Sequence, residues 1–126
     1  MTGPAEAESR HTLRTAVARY EELRSREVLD RLAVDEVLEL LALSEVIARK
    51  AGYGRQLSVR NARAAGASWT AIGRALGTTK QAAWEAHTRW IDTQSARHRG
   101  SGHEGFDDAE AAVARRLAGA PDDVVP

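Results

Sequence analysis

Gln81, Trp84 and Thr88 recur at steps of three and four near the start of a predicted helix, with Thr79 and Lys80 just ahead of them. Their functional groups are a carboxamide, an indole, hydroxyls and an ammonium. This is recognition chemistry, hydrogen bonding and ion pairing, rather than bond making. Arg63, Arg74 and Arg89 lie in the same stretch, and Ser68 and Thr70 add hydroxyls near the start of the preceding helix. The means of catalysis are missing. There is no cysteine, which excludes disulfides, thiolate metal sites and a cysteine nucleophile. His11 and His87 are far apart, and His98 and His103 sit among glycines, so the histidines make no metal-ligand pattern. Gly100-Ser101-Gly102 lacks the lysine and flanking strand of a phosphate loop, and no Gly-x-Ser-x-Gly elbow occurs. The reading is of a protein that is not an enzyme and takes no metal, cofactor or small-molecule ligand.

Charge sharpens this picture. The chain has 126 residues with 18 basic and 18 acidic side chains, a net of zero. Residues 1–48 carry six arginines against ten carboxylates, a net of −4. Residues 49–99 carry ten Lys/Arg against Glu85 and Asp92, a net of +8, and residues 100–126 return to −4. A basic middle between acidic ends is the footprint of one module that meets a polyanion. At 43% apolar and 29% charged residues the composition is that of a soluble globular chain. The most apolar stretch, Val37–Ile47, is interrupted by Glu39, Ser44 and Glu45 and is too short to cross a bilayer. The start, Met1 to Glu6, has neither the basic patch nor the apolar core of a signal peptide. The expectation is a cytoplasmic, nucleoid-located protein with no membrane partner. Arginine outnumbers lysine 16 to 2, as a GC-rich, actinobacterium-like genome would give.

The elements that must position these residues read as all-α. Strand patterns are absent, and apolar residues recur at helical steps. One long amphipathic helix is expected over Glu8–Leu32, on the stripe Leu13, Val17, Tyr20, Val28, Leu29 and Leu32. Asp35 is the expected N-cap of a second, Glu36–Lys50, apolar almost all round and therefore in need of cover on more than one side. Ala51-Gly52-Tyr53-Gly54 breaks it. Three helices follow, over Gln56–Ala65, Trp69–Leu76 with Ser68 as cap, and Lys80–Gln94 with Thr79 as cap. His98–Gly105 reads as a flexible linker, Asp107–Leu117 as an Ala-rich helix, and Pro121–Pro126 as a frayed end. Three regions result: an N-terminal oligomerisation region (1–52), a recognition module (53–97) and a flexible acidic tail (98–126). Tyr20, Tyr53 and Trp69 read as packing residues.

The stretch Gly66-Ala67-Ser68-Trp69-Thr70-Ala71-Ile72-Gly73-Arg74-Ala75-Leu76-Gly77-Thr78-Thr79-Lys80-Gln81-Ala82-Ala83 resembles a helix-turn-helix DNA-binding motif. The likeness is narrower to small actinobacterial proteins with Gly-x-Ser-Trp, Ile-Gly, Leu-Gly and Gln-Ala-Ala. It covers about residues 56–92. The residues fit the motif physically. Gly77 tolerates the left-handed backbone of a tight turn, and Gly73 suits the place where two helices touch. Ile72 and Leu76 form the inner ridge of the first helix; Ala83, Ala86 or His87, and Trp90 form that of the second. Position 83 departs from the usual Val or Ile, so Trp69 or Trp90 must fill the space left.

The resemblance implies that the helix starting at Lys80 enters a major groove. Thr79, Lys80, Gln81, Trp84 and Thr88 are then the base-reading candidates: Gln suits adenine N6/N7, Lys suits guanine O6/N7, and Trp84 offers its ring to a thymine methyl or its indole N–H to phosphate. Arg63, Ser68, Thr70, Arg74 and Arg89 are the phosphate candidates. Each also reads as an ordinary surface residue, and Trp84 as a core or dimer residue. The implied function is that of a transcriptional regulator or small nucleoid-associated protein on double-stranded DNA, a homodimer through its N-terminal helices. The alternative is a protein-interaction module, for a sigma factor or another regulator, built on the same scaffold. On the DNA reading, the acidic tail would be placed to compete with DNA for the basic face and weaken binding in cis.

Overall fold

The computed structural model describes residues 3–29 and 32–122, and all regular structure among them is helical. The order is α1 (Pro4–Arg10), α2 (Leu13–Leu29), α3 (Val34–Tyr53), α4 (Arg55–Ala64), α5 (Trp69–Leu76), α6 (Lys80–Ser101) and α7 (Asp108–Ala118). None of these helices is long and apolar enough to cross a membrane. The chain divides into two compact units, Met1–Gly54 and Arg55–Pro126.

In the first unit the expected single helix over Glu8–Leu32 is two. The break has a local cause. Thr12 Oγ1 accepts from the Thr15 N–H (3.2 Å) and Thr15 Oγ1 accepts from the Thr12 N–H (3.0 Å), a reciprocal cap that starts α2. α2 and α3 run antiparallel, because Arg19 reaches Glu39 while Arg26 reaches Glu36. The Arg19–Glu39 pair is bidentate at 2.9 Å on both nitrogens, and the Arg19 guanidinium holds the Glu39 carboxyl below the usual range. α3 begins earlier than expected, with Ala33 rather than Asp35 at the N-cap; the Glu36 carboxylate accepts from the Ala33 N–H. Ala16, Leu23, Leu40, Leu43 and Val46 form the core, and Ala7 of α1 joins it. Tyr53 was expected inside; it is exposed, and its hydroxyl donates to the Glu8 carboxylate. Leu38 and Leu41 are exposed on α3.

The second unit is built on α4, α5 and α6, with α7 packed against α4 and α6. Its core holds Val59, Trp69, Ile72, Ala83, Ile91, Ala111, Ala114 and Ala118. Ala83 thus shares a core with the fully buried Trp69, the ring expected to make up for the missing methyls. Residues 98–105 do not form a flexible linker: α6 continues to Ser101, and a turn through Gly102–Gly105 lets the Phe106 N–H donate to the Gln94 carbonyl at 3.0 Å. α7 is integral because its alanine face is buried. The frayed end expected over Pro121–Pro126 lies, from Asp123 on, outside the described residues.

α5 and α6 meet at a turn that only glycine satisfies at two places. Gly77 has φ 72° and ψ 30°, the left-handed region, with the Thr78 N–H donating to the Gly73 carbonyl at 2.8 Å. Gly73 is buried under this turn: a Cβ there would lie 2.9 Å from backbone atoms of Thr78 and Thr79. Leu76, expected on the inner ridge, is 40% exposed because it ends the helix at the turn. Gly73→Ala is expected to lower the stability of the second unit by about 1–3 kcal/mol through overpacking. All three tryptophans lie in this unit, so the shift is read as a lower denaturant midpoint by tryptophan fluorescence.

Candidate nucleic-acid interface

The start of α6 is laid open by its own turn. Every residue from Arg74 to Gln81 is exposed. Ser68 caps α5 by accepting from the Ala71 N–H at 3.1 Å, and Thr79 caps α6 by accepting from the Ala82 N–H at 3.1 Å. With its hydroxyl so used, Thr79 keeps its oxygen's second lone pair and its O–H for other partners. Gln81 is exposed and its amide donates to Glu85 at 2.9 Å, four residues on. Thr70, Arg74 and Arg89 are exposed, and among the described residues the side chains of Arg74 and Arg89 make no ion pair.

Other expected contacts are committed elsewhere. Arg63 is 2% exposed: its guanidinium donates to the carbonyls of Leu117 (3.2 Å) and Ala67 (3.0 Å) and lies over the Trp69 ring at 5.2 Å. It is a packing residue and is not available to a phosphate. Trp84 is half-buried, and its indole N–H donates to the Gly119 carbonyl at 2.7 Å, so that donor is not free for a phosphate. Thr88 is half-buried with its hydroxyl turned back to the Glu85 carbonyl at 3.0 Å. Lys80 is exposed but pairs with Asp122 at 2.5 Å. The expected face of Gln81, Trp84 and Thr88 is therefore split. Trp84 is tied to the end of α7 and Thr88 is half-buried, whereas Gln81, Glu85 and Arg89 form the exposed ridge one helical step apart. Glu85 is the residue that the sequence reading underweighted; its i,i+4 spacing from Gln81 is the signal that finds it.

Behind this surface stands a column of rings. Trp69 and His87 have centroids 5.6 Å apart, His87 and Trp90 stack at 5.4 Å, and Trp90 meets Phe106 edge-on at 5.3 Å. Arg63 closes one end over Trp69, and Arg60 closes the other over Phe106 at 5.8 Å. His87 Nδ1 shares a 2.8 Å hydrogen bond with the Gln56 side-chain oxygen, which makes Nδ1 the protonated nitrogen of the neutral ring. Burial, then the Arg60 and Arg63 cations, push its pKa down to about 4. No group of three or more His, Asp or Glu side chains among the described residues is placed to hold a metal ion.

Comparison of the chain with known protein families, with curated proteins and with solved structures gives no match.

The pH response of the second unit follows from His87. Its ordinary pKa of 6.5 in the unfolded chain exceeds the folded value of about 4, so between these pH values the unfolded state binds the additional proton. The contribution is complete above about pH 6.5 and is lost as pH falls toward 4. Urea unfolding followed by tryptophan fluorescence should show this slope, and His87→Phe should flatten it. A slope unchanged by that substitution would place the titrating group elsewhere.

Proposed function

We propose that this chain is a DNA-binding protein of helix-turn-helix type, a transcriptional regulator or small nucleoid-associated protein, that seats the α5–α6 turn and the first turn of α6 in a major groove. The observation that carries this reading is the unbroken exposure of Arg74–Gln81, a left-handed glycine turn followed by a capped helix start. A helix presented end-on by such a turn fits the width of the major groove. Gln81 reads base edges, held in orientation by Glu85, and Thr79 adds a hydroxyl beside it. Thr70, Arg74 and Arg89 are left for phosphates, with the half-buried Ser68 near them. The second unit carries ten Lys/Arg against seven carboxylates over residues 55–122, whereas residues 1–54 carry eight against ten. The cation density is the same in both, and the second unit is the more positive because it has fewer carboxylates, a balance that suits a polyanion partner.

One such motif reads few base pairs, so a second copy is part of the proposal. The first unit is where it docks. Leu38, at 43% exposure, and Leu41, at 61%, are open on α3, and Val17, Tyr20, Ile47 and Ala48 line a groove between α2 and α3. Light scattering is expected to give twice the chain mass at micromolar concentration, and Leu41→Asp to return it toward the monomer.

A second reading is favoured by one feature. The exposed side of α6 also bears Glu85 and Asp92, which suit a protein partner better than a phosphate backbone. Retention on a duplex-DNA column separates the two readings. The DNA reading expects retention that falls with salt. It expects Arg74→Ala and Arg89→Ala each to weaken binding to all sequences and to flatten the salt slope by about 1. Gln81→Ala instead should relax preference at one or two base positions, by about 1–3 kcal/mol for a bidentate contact. No retention at low salt favours the protein-partner reading.

A further inference from the structure

We infer that residues 119–122 act as an intramolecular competitor for DNA, holding a carboxylate on the cation at the start of α6. The inference rests on the DNA reading above. Lys80 and Trp84 are one helical turn apart and share a face. Trp84 holds the carbonyl of Gly119 at 2.7 Å, and three residues later Asp122 Oδ1 lies 2.5 Å from Lys80 Nζ. The segment is led there by fixed bonds. Arg63 and Trp69 hold the carbonyls of Leu117 and Ala118, the last two residues before it. The chain leaving α7 therefore passes the first turn of α6 whatever its further course.

The chemistry is substitution of one anion for another. An ammonium at the mouth of a groove-entering helix meets phosphate or a base-edge acceptor, and Asp122 supplies a carboxylate in the same place. Lys80 makes no other ion pair among the described residues. The pair is exposed, with side chains at 47% and 79% of full accessibility, so it is easily exchanged. Exposed pairs of this kind shift an equilibrium by up to about fivefold. That is enough to weaken binding to single or poor sites while a full site still displaces the carboxylate. Removing the charge should also add about 1 to the salt slope, because Lys80 then releases a counterion from DNA.

The test is Asp122→Asn in the full chain, against Asp108→Asn, which makes the same change of net charge at the far end of α7. That end adjoins Gln94, whereas the other adjoins Trp84. Binding of a short mixed-sequence duplex is measured by fluorescence anisotropy over a salt series, with fluorescence unfolding to check the fold of each variant. Asp122→Asn is expected to tighten binding three- to fivefold at low salt with a steeper slope, and Asp108→Asn to change it much less. Equal effects of the two variants would reduce the result to net charge and overturn the inference. So would wild-type affinity in Asp122→Asn. Absence of binding in every protein is a different failure, that of the DNA reading itself, and takes this inference with it.

Discussion

The carbonyls at the end of α7 have no amide partners within their own helix, and buried there they need donors from outside. Leu117 receives Arg63 from α4, Ala118 receives Trp69 from α5, and Gly119 receives Trp84 from α6. One helix end is thus satisfied by one side chain from each of the other three helices of its unit. The arrangement cannot lose any of the three without leaving a polar group unpaired in or beside the core. Donation at 2.7 Å from both indoles places the rings as well as the carbonyls, so the two tryptophans are fixed in position before any hydrophobic contact is considered.

From that constraint the ring column follows. Trp69, held by α7, presents its face to Arg63 and His87; His87 stacks on Trp90, and Trp90 meets Phe106 at the start of the segment that leads into α7. α7 therefore clasps the other helices at both of its ends. His87 stays neutral first because it is buried among these rings, and then because Arg60 and Arg63, which close the column, would repel a third cation. The exposed start of α6 stands on this rigid base. Its openness comes from Gly77, and its closeness to α5 from the missing side chain at Gly73.

What the sequence displays and what it hides divide along sequence separation. The caps Ser68 and Thr79, the glycine turn and the extent of α5 are written in neighbouring residues, and they are legible because a cap bonds an amide three positions on. The alanine helix near the C-terminus is legible too, from its run of alanines behind an Asp-rich start, to which the structure adds the Asp107–Glu110 capping pair. Its docking was not. The Trp69–Ala118 and Trp84–Gly119 bonds span 49 and 35 residues and involve backbone carbonyls, which every residue has. No residue type marks such an acceptor, so Arg63 and Trp84 looked like free recognition groups when they were donors to α7. The break between α1 and α2 is hidden for a different reason. It lies just ahead of the apolar stripe, which begins at Leu13, so periodicity does not mark it and the Thr12–Thr15 cap is its one local sign.

Removing Arg63 from the phosphate contacts changes the energetics of the proposed function. On the DNA reading, Arg74 and Arg89, which make no ion pair among the described residues, are left near the turn, with Lys80 joining them once Asp122 is displaced. Two or three neutralised phosphates give a salt slope of only about −2 to −3 per copy. The nonspecific component from one copy is then weak at physiological salt, and a specific component from Gln81 adds about 1–3 kcal/mol. Neither suffices for stable occupancy of a single half-site. Two copies joined through one apolar face double the slope and add their specific contacts. On the DNA reading proposed above, the open leucines of α3 and the sparse cations beside α6 answer one requirement, because a reading head this small would work in pairs.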